Sequence, residues 1–252
     1  MTDQTQKING QKTGMIAPLQ NVALFNELVE RVMNRPIGLP GLATFHGPSG
    51  YGKTFSATYA AHKFKAYYIK VGDSWTRKTF LEKLITEIGE KAYGTIPNMV
   101  DQVVDILIGI DRPIIIDEFD TVVDKNYPEL IREIHDETDA PIILIGEERL
   151  PSKLMKWERI HNRMLDWVAA QPLIREEVNV LARYNAADIE IADDLLDQVF
   201  KVSEGRARRA SINLNRIRNV TTGRGMSRMN LKEWGKEELY IGKAMARSGG
   251  RR

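Results

Sequence analysis

The chain has 252 residues, no cysteine and a net charge of +2. Without cysteine it can build neither a disulfide framework nor a thiolate metal site, and no apolar run approaches the roughly 18 residues of a membrane span. The small net charge conceals a division: residues 201–252 carry 14 Lys/Arg against 4 Asp/Glu, a net of +10 that leaves −8 for the rest. A basic end on an acidic body suits either a polyanionic partner or a solubilising tail, and charge alone does not separate the two.

In chain order, residues 1–17 read as a flexible leader, rich in Gln, Lys, Thr and Gly. Its first fourteen residues lack the apolar segment of a secretory signal, so the expected location is the cytoplasm. Pro18 opens a helix over 18–34, with Val22, Phe25, Leu28, Val29 and Val32 at helical spacing. Pro36, Gly38, Pro40 and Gly41 then turn the chain into an apolar strand over 42–45.

That strand runs into Gly47-Pro48-Ser49-Gly50-Tyr51-Gly52-Lys53-Thr54, which is G-x-x-x-x-G-K-T, the phosphate-binding loop. Its three glycines let consecutive N–H groups face phosphate oxygens. Lys53 would reach the β- and γ-phosphates. The Thr54 hydroxyl would bind Mg²⁺ at the start of a helix over 54–64, whose dipole favours anions.

A second strand is expected over 66–71. After a 72–75 loop, Ser74 or Thr76 caps a helix with Phe80, Leu81, Leu84, Ile85 and Ile88 on one face. A further helical stretch covers 99–110. Residues 113–118, Pro-Ile-Ile-Ile-Asp-Glu, are a short apolar run suited to a strand buried on both faces. In a phosphate-loop protein, two acids ending such a strand have a use. Asp117 can hold Mg²⁺ through its water shell, and Glu118 can polarise the attacking water. Asp120 is a further candidate for that neighbourhood.

Next come a helix over 127–139, a buried strand over 141–146, a basic helical stretch over 150–163 and a last strand within 164–173. From 175 the pattern is helical only, at 176–184, 189–202 and 206–220. The Gly- and Arg-rich remainder shows one further helix near 231–245. Strands alternating with helices give an α/β fold, a parallel sheet sandwiched by helices, whose ligands sit at the carboxyl ends of the strands. The four histidines, His46, His62, His135 and His161, show no metal spacing. His46 reads as structural.

This order of motifs resembles the AAA+ ATPases: phosphate loop, strand ending Asp-Glu, further strand, helical lid. The wording of 44–54, 66–75, 114–118, 135–146, Asn162-Arg163 before Gln171-Pro172-Leu173, and Gly205-Arg206-Ala207-Arg208-Arg209-Ala210 is similar to the transposition regulators of the phage Mu B and TnsC type. The resemblance spans roughly 18–222. It implies a leader at 1–17, an AAA+ nucleotide-binding core at 18–174, a small all-helical lid at 175–222 and a basic tail at 223–252. It further implies an ATPase using ATP and Mg²⁺. Lys53 and Thr54 match the phosphate and metal positions, and Asp117 and Glu118 the metal and water positions. Arg163, with Arg159 as a rival, matches the arginine finger that acts on a neighbouring subunit's γ-phosphate. Arg208, or alternatively Arg209, matches the lid arginine that reads nucleotide state. One position departs from the pattern: where a neutral polar residue or Arg is usual after the fourth strand, Gly146 is followed by Glu147 and Glu148.

In the resembling group the loop and helix start after the second strand face DNA. Here Lys70, Thr76, Arg77 and Lys78 lie there, with Trp75 between them, a set suited to sequence-independent phosphate contacts. The chain carries no N-terminal helix-turn-helix pattern, so DNA contact is expected from the core or from the C-terminal arginines Arg224, Arg228, Arg247, Arg251 and Arg252. The partners implied are double-stranded DNA, a transposase and further copies of the chain with ATP at their interfaces. The competing readings are an AAA+ replication initiator or helicase loader, and a self-contained P-loop enzyme such as a small-molecule kinase.

Overall fold

The computed structural model describes residues 19–242. The expected leader, the helix-opening Pro18 and the arginines Arg247, Arg251 and Arg252 lie outside the described residues.

Helix α1 (Gln20–Met33) buries Val22, Phe25, Leu28, Val29 and Val32. Strand β1 (Leu42–His46) leads through the phosphate loop into α2 (Lys53–Phe64). β2 (Tyr67–Lys70) precedes α3 (Arg77–Ile88), where the Thr76 side chain caps the helix by accepting from the Thr79 N–H. α4 (Ile96–Leu107) begins three residues before the expected stretch, where Asn98 Oδ1 accepts from both the N–H and the hydroxyl of Thr95 at 3.0 and 2.6 Å. β3 (Ile114–Asp117) is followed by a short helix that patterning missed, α5 (Asp120–Asp124), then α6 (Glu129–Thr138) and β4 (Ile142–Gly146).

The basic stretch expected as one helix over 150–163 is two, α7 (Leu150–Leu154) and α8 (Glu158–His161). Leu154 and Ile160 are both buried, and the break between the helices lets both turn inward. β5 (Met164–Ala169) ends the sheet.

The five strands are parallel, in the order β2-β3-β4-β1-β5. Alternation sends Ile114, Ile116, Ile142 and Leu144 to one face, against Phe80 and Leu84 of α3, Met99 and Val103 of α4, and Leu130 and Ile134 of α6. Ile115, Ile143, Ile145, Ala43 and Phe45 go to the other face, against α1 and α2. Covering both faces explains why β3 and β4 are apolar without alternation.

The remainder comprises α9 (Arg175–Asn185), β6 (Glu190–Ile191), α10 (Asp193–Ser203), α11 (Ala207–Gly223), β7 (Arg228–Met229) and α12 (Leu231–Trp234). The helix-only expectation is corrected by β6 and β7, which pair in parallel. The helix expected near 231–245 is four residues long within the described part. These elements share a separate core of Val178, Leu195, Val199, Leu214 and Ile217. The stretch read as a basic tail packs into it through the buried Met229 and Trp234. Arg224 pairs with Glu237 at 3.2 Å and Arg228 with Glu190 at 3.6 Å. Asn213 fixes Tyr240 through hydrogen bonds in both directions, of 2.7 and 3.0 Å. No described helix is long and apolar enough to cross a membrane.

Candidate nucleotide site

The phosphate loop sits at the carboxyl end of β1, where Gly47 N–H reaches Gly146 O of β4 at 3.3 Å. At its tip Gly50 has φ +89° and Gly52 φ +88°, a left-handed turn that costs glycine little. The turn delivers Lys53 and Thr54 to the N-terminus of α2. A cavity of about 590 Å³ opens over this end of the sheet. Ser49, Gly50, Gly52, Lys53 and Thr54 line it from the loop, and Asp117, Glu118 and Glu147 from the strand ends. Leu181, Tyr184, Ala207 and Arg208 line it from the helical part. One end is therefore polar and the other largely apolar, the division a nucleotide's phosphates and base require.

Lys53 Nζ donates to the Gly47 and Pro48 carbonyls. Burial holds its pKa below the usual lysine value, against the opposing pull of Asp117 and Glu118. Asp117 is 2% exposed. Its Oδ2 accepts from the Thr54 hydroxyl at 2.8 Å and from the Tyr68 hydroxyl at 3.0 Å, and its Oδ1 from the Glu118 N–H at 2.9 Å. Thr54 and Asp117 thus bring a hydroxyl and a carboxylate oxygen together. That pair suits Mg²⁺, which takes few protein ligands and completes its shell with water and phosphate.

Tyr68 was not singled out by sequence. Burial, and then Asp117, push its pKa far above the usual tyrosine value, so it stays a donor to the acid. Its place in β2 reads as core, and only the parallel pairing of β2 with β3 brings it beside Asp117.

Glu118 has φ +59°, a left-handed conformation that costs a non-glycine residue about 1 kcal/mol. This turns its carboxylate toward the end of β2, where Lys70 Nζ lies 3.5 Å from Glu118 Oε1. Lys70 sits opposite Asp117 in the sheet register. The carboxylate expected to activate water is therefore held by a lysine expected to contact DNA. Thr76, expected beside Lys70, has its hydroxyl engaged in capping α3. Arg77 is exposed, and Lys78 lies 3.9 Å from Glu82. Trp75 packs half-buried on the core; a Cβ on Gly72 would come within 2.7 Å of its ring nitrogen. Lys125 Nζ donates to the Asp73 and Trp75 carbonyls, bracing the same loop.

Asp120 braces the turn after β4. It accepts from the Glu147 N–H at 2.7 Å and pairs with Lys153 at 3.0 Å. Arg208 lines the cavity, and its N–H donates to Gly50 O at 3.1 Å. Its rival Arg209 instead pairs with Glu204 at 2.6 Å. Arg163 lies at the opposite end of the sheet, where its carbonyl accepts from the N–H of Leu42, the first residue of β1. Its guanidinium meets Asp136 at 2.7 and 3.3 Å. Arg159 is exposed on α8. The single chain thus assembles the phosphate loop, Asp117, Glu118 and Arg208, and leaves Arg163 outside the cavity.

Residues 38–154 match the family model described as the AAA domain. No curated protein matches the sequence. Among solved structures, the chain is similar to Cdc6p from Pyrobaculum aerophilum, at 13% identity and TM-score 0.64 over 86% of this chain and 66% of that one. It is similar to the Aeropyrum pernix ORC1 protein in complex with DNA, at 13% identity and TM-score 0.66 over 86% and 64%. It is also similar to the Thermotoga maritima RuvB Holliday junction branch migration motor, at 20% identity and TM-score 0.58 over 84% and 66%. The chain thus spans just under two thirds of each of these structures, and at such identities the likeness is one of fold. The match to the AAA domain model over 38–154 and these likenesses show that the chain has the AAA+ P-loop fold with a helical C-terminal part.

Proposed function

We propose that the chain is an ATP-dependent, DNA-binding regulator of transposition. It assembles as a filament on double-stranded DNA with ATP at its subunit interfaces. It recruits and stimulates a transposase, and disassembles when ATP is hydrolysed. In this reading 18–174 is the nucleotide-binding core and 175–222 the lid. Lys53 and the loop N–H groups hold the phosphates, Thr54 and Asp117 hold Mg²⁺, and Glu118 takes the proton of the attacking water. Arg208 senses nucleotide from the lid, and Arg163 is supplied in trans to a neighbour's γ-phosphate. Mg²⁺ supplies charge neutralisation on the phosphates. Lys70, Thr76, Arg77 and Lys78 contact the DNA backbone.

The observation that carries the DNA link is the 3.5 Å pair between Lys70 and Glu118. A phosphate drawn to Lys70 competes with Glu118 for the same ammonium group, so DNA contact and water activation share a residue. A self-contained kinase has no use for such a link. The transposition role is supported by the sequence wording. The likeness to Cdc6p and to DNA-bound ORC1 favours a second reading, a replication initiator or helicase loader.

The test is hydrolysis with and without double-stranded DNA, over a salt series, for the wild type and Lys70→Ala. The expected result is DNA-stimulated hydrolysis that weakens with salt and loses its DNA dependence in the variant. Hydrolysis indifferent to DNA in both proteins would overturn the reading. Stimulation of a helicase rather than a transposase would select the second one.

A further inference from the structure

Helix α1 begins without a side-chain cap of its own. Its first N–H, from Gln20, is taken instead by Glu177 Oε1 of α9 at 2.5 Å, while Glu177 Oε2 accepts from Ile174 N–H at 3.0 Å. One residue on, Asn21 is 8% exposed and has both its amide hydrogens and its oxygen hydrogen-bonded. Its Nδ2 donates at 2.8 Å to Tyr51 O in the phosphate loop and at 2.8 Å to Gln171 O. Its Oδ1 accepts from Gln171 N–H at 2.7 Å. Two carbonyls and one N–H around one amide fix its orientation. Gln171 lies in the link from β5 to the lid. That link continues through Leu173 N–H to Gly205 O at 2.9 Å, and α11 returns to the loop through Arg208 N–H to Gly50 O at 3.1 Å.

We propose that Asn21 is a positioning residue that couples the phosphate loop to the lid, so that nucleotide at the loop sets where Arg208 stands. The other links in this ring are backbone bonds or the Glu177 cap. Among the described residues, Asn21 is the side chain that hydrogen-bonds the loop and the link together. A change at the tip that moves Tyr51 O must move Gln171 with it, or leave a part-buried carbonyl unpaired. The inference rests on the nucleotide reading above.

The experiment compares the full chain with Asn21→Ala, Arg208→Ala and the double variant, using ATP and a non-hydrolysable analogue. Amide exchange is read at the loop, at Gln171 and at Arg208. In the wild type the analogue is expected to slow exchange at all three. In Asn21→Ala the loop stays protected while Gln171 and Arg208 do not. Nucleotide affinity should change by less than about threefold while the rate at saturating ATP falls about tenfold, ~1.4 kcal/mol. Arg208→Ala should then add little in the Asn21→Ala background, because both act through the lid. Losses that multiply, with exchange at Arg208 still responding to nucleotide, would reduce Asn21 to a packing residue and overturn the proposal. Should Asn21→Ala not fold, Asn21→Asp keeps the bond from Gln171 N–H and loses both donated bonds, and the same readouts apply. Wild-type protein that binds no ATP would overturn the nucleotide reading; binding without this coupling would overturn the role of Asn21 alone.

Discussion

The two ends of the sheet are built to different rules. At the carboxyl end, Asp117, Glu118, Glu147 and Lys53 converge on one cavity, with Glu118 in a costly backbone conformation and Lys53 below its usual pKa. At the amino end the polar groups pair with one another. Arg35 donates to the Val32, Leu39 and Asp139 carbonyls and to the Asp139 side chain. His135 Nε2 accepts from Gly41 N–H at 3.2 Å, so its Nδ1 carries the hydrogen that meets Ala140 O at 2.9 Å. Asp136 is shared by Arg132 and Arg163. Burial pushes the Asp136 pKa up, but the two arginines outweigh it and hold the carboxyl below its usual value. The first end keeps charge available for a ligand; the second spends its groups on joining loops. Strain and unevenly matched charge therefore mark where chemistry is expected.

Arg163 stands across this division, since it is proposed to work from the satisfied end. Arg163→Ala should leave stability within about 1 kcal/mol, because Arg132 still neutralises Asp136 and half-exposed pairs contribute little. Hydrolysis by the DNA-bound assembly should fall on the order of 1000-fold if the guanidinium acts in trans. An unchanged rate would leave Arg163 a structural member of the amino end. At the carboxyl end, Glu118→Gln should slow hydrolysis at least about 100-fold while nucleotide still binds, as single-turnover kinetics would show. Lys70→Ala should change the rate without DNA by no more than about fivefold, since the pair it breaks is half exposed.

A smaller effect probes one histidine at each end of the sheet, His135 at the amino end and His46 at the carboxyl end of β1. Burial holds the His135 pKa below the usual histidine value, and burial together with Lys53 does the same to His46. Each is therefore kept neutral in the folded protein and protonates more readily when unfolded. Stability should be complete above about pH 6.5 and fall as the pH drops below it, by at most about 1.4 kcal/mol per pH unit for each histidine. Denaturant titrations between pH 8 and 5 would measure the slope, and His135→Gln should flatten it.

The parts legible in the sequence are those where function demands a residue type at a fixed spacing. Gly47 to Thr54 and the strand ending Asp117-Glu118 could be placed because a tight turn, a phosphate and a metal leave few alternatives. Apolar runs located β1, β3 and β4, where burial on both faces leaves an unbroken signature, whereas the half-exposed edge strand β5, interrupted by Asp166, was only bracketed within 164–173. What escaped was set by tertiary proximity. Tyr68 looks like any strand tyrosine until β2 pairs with β3. Asn21 looks like a polar residue in a first helical turn until the loop and the lid link close on it. The break between α7 and α8 and the two-residue strands β6 and β7 lie below the length at which periodicity speaks. Lys70 was found for its charge, but its pairing with Glu118 depends on the left-handed backbone of that glutamate, which no local pattern announces.

In the function proposed, nucleotide at the carboxyl end turns single chains into an assembly on DNA. The most direct measurement is negative-stain microscopy of the protein with long double-stranded DNA and a non-hydrolysable ATP analogue, beside Lys53→Ala. DNA coated by filaments is expected with the wild type, and bare DNA with the variant, whose nucleotide affinity should fall on the order of 100-fold. A nucleotide-bound monomer that ignores DNA would contradict that function.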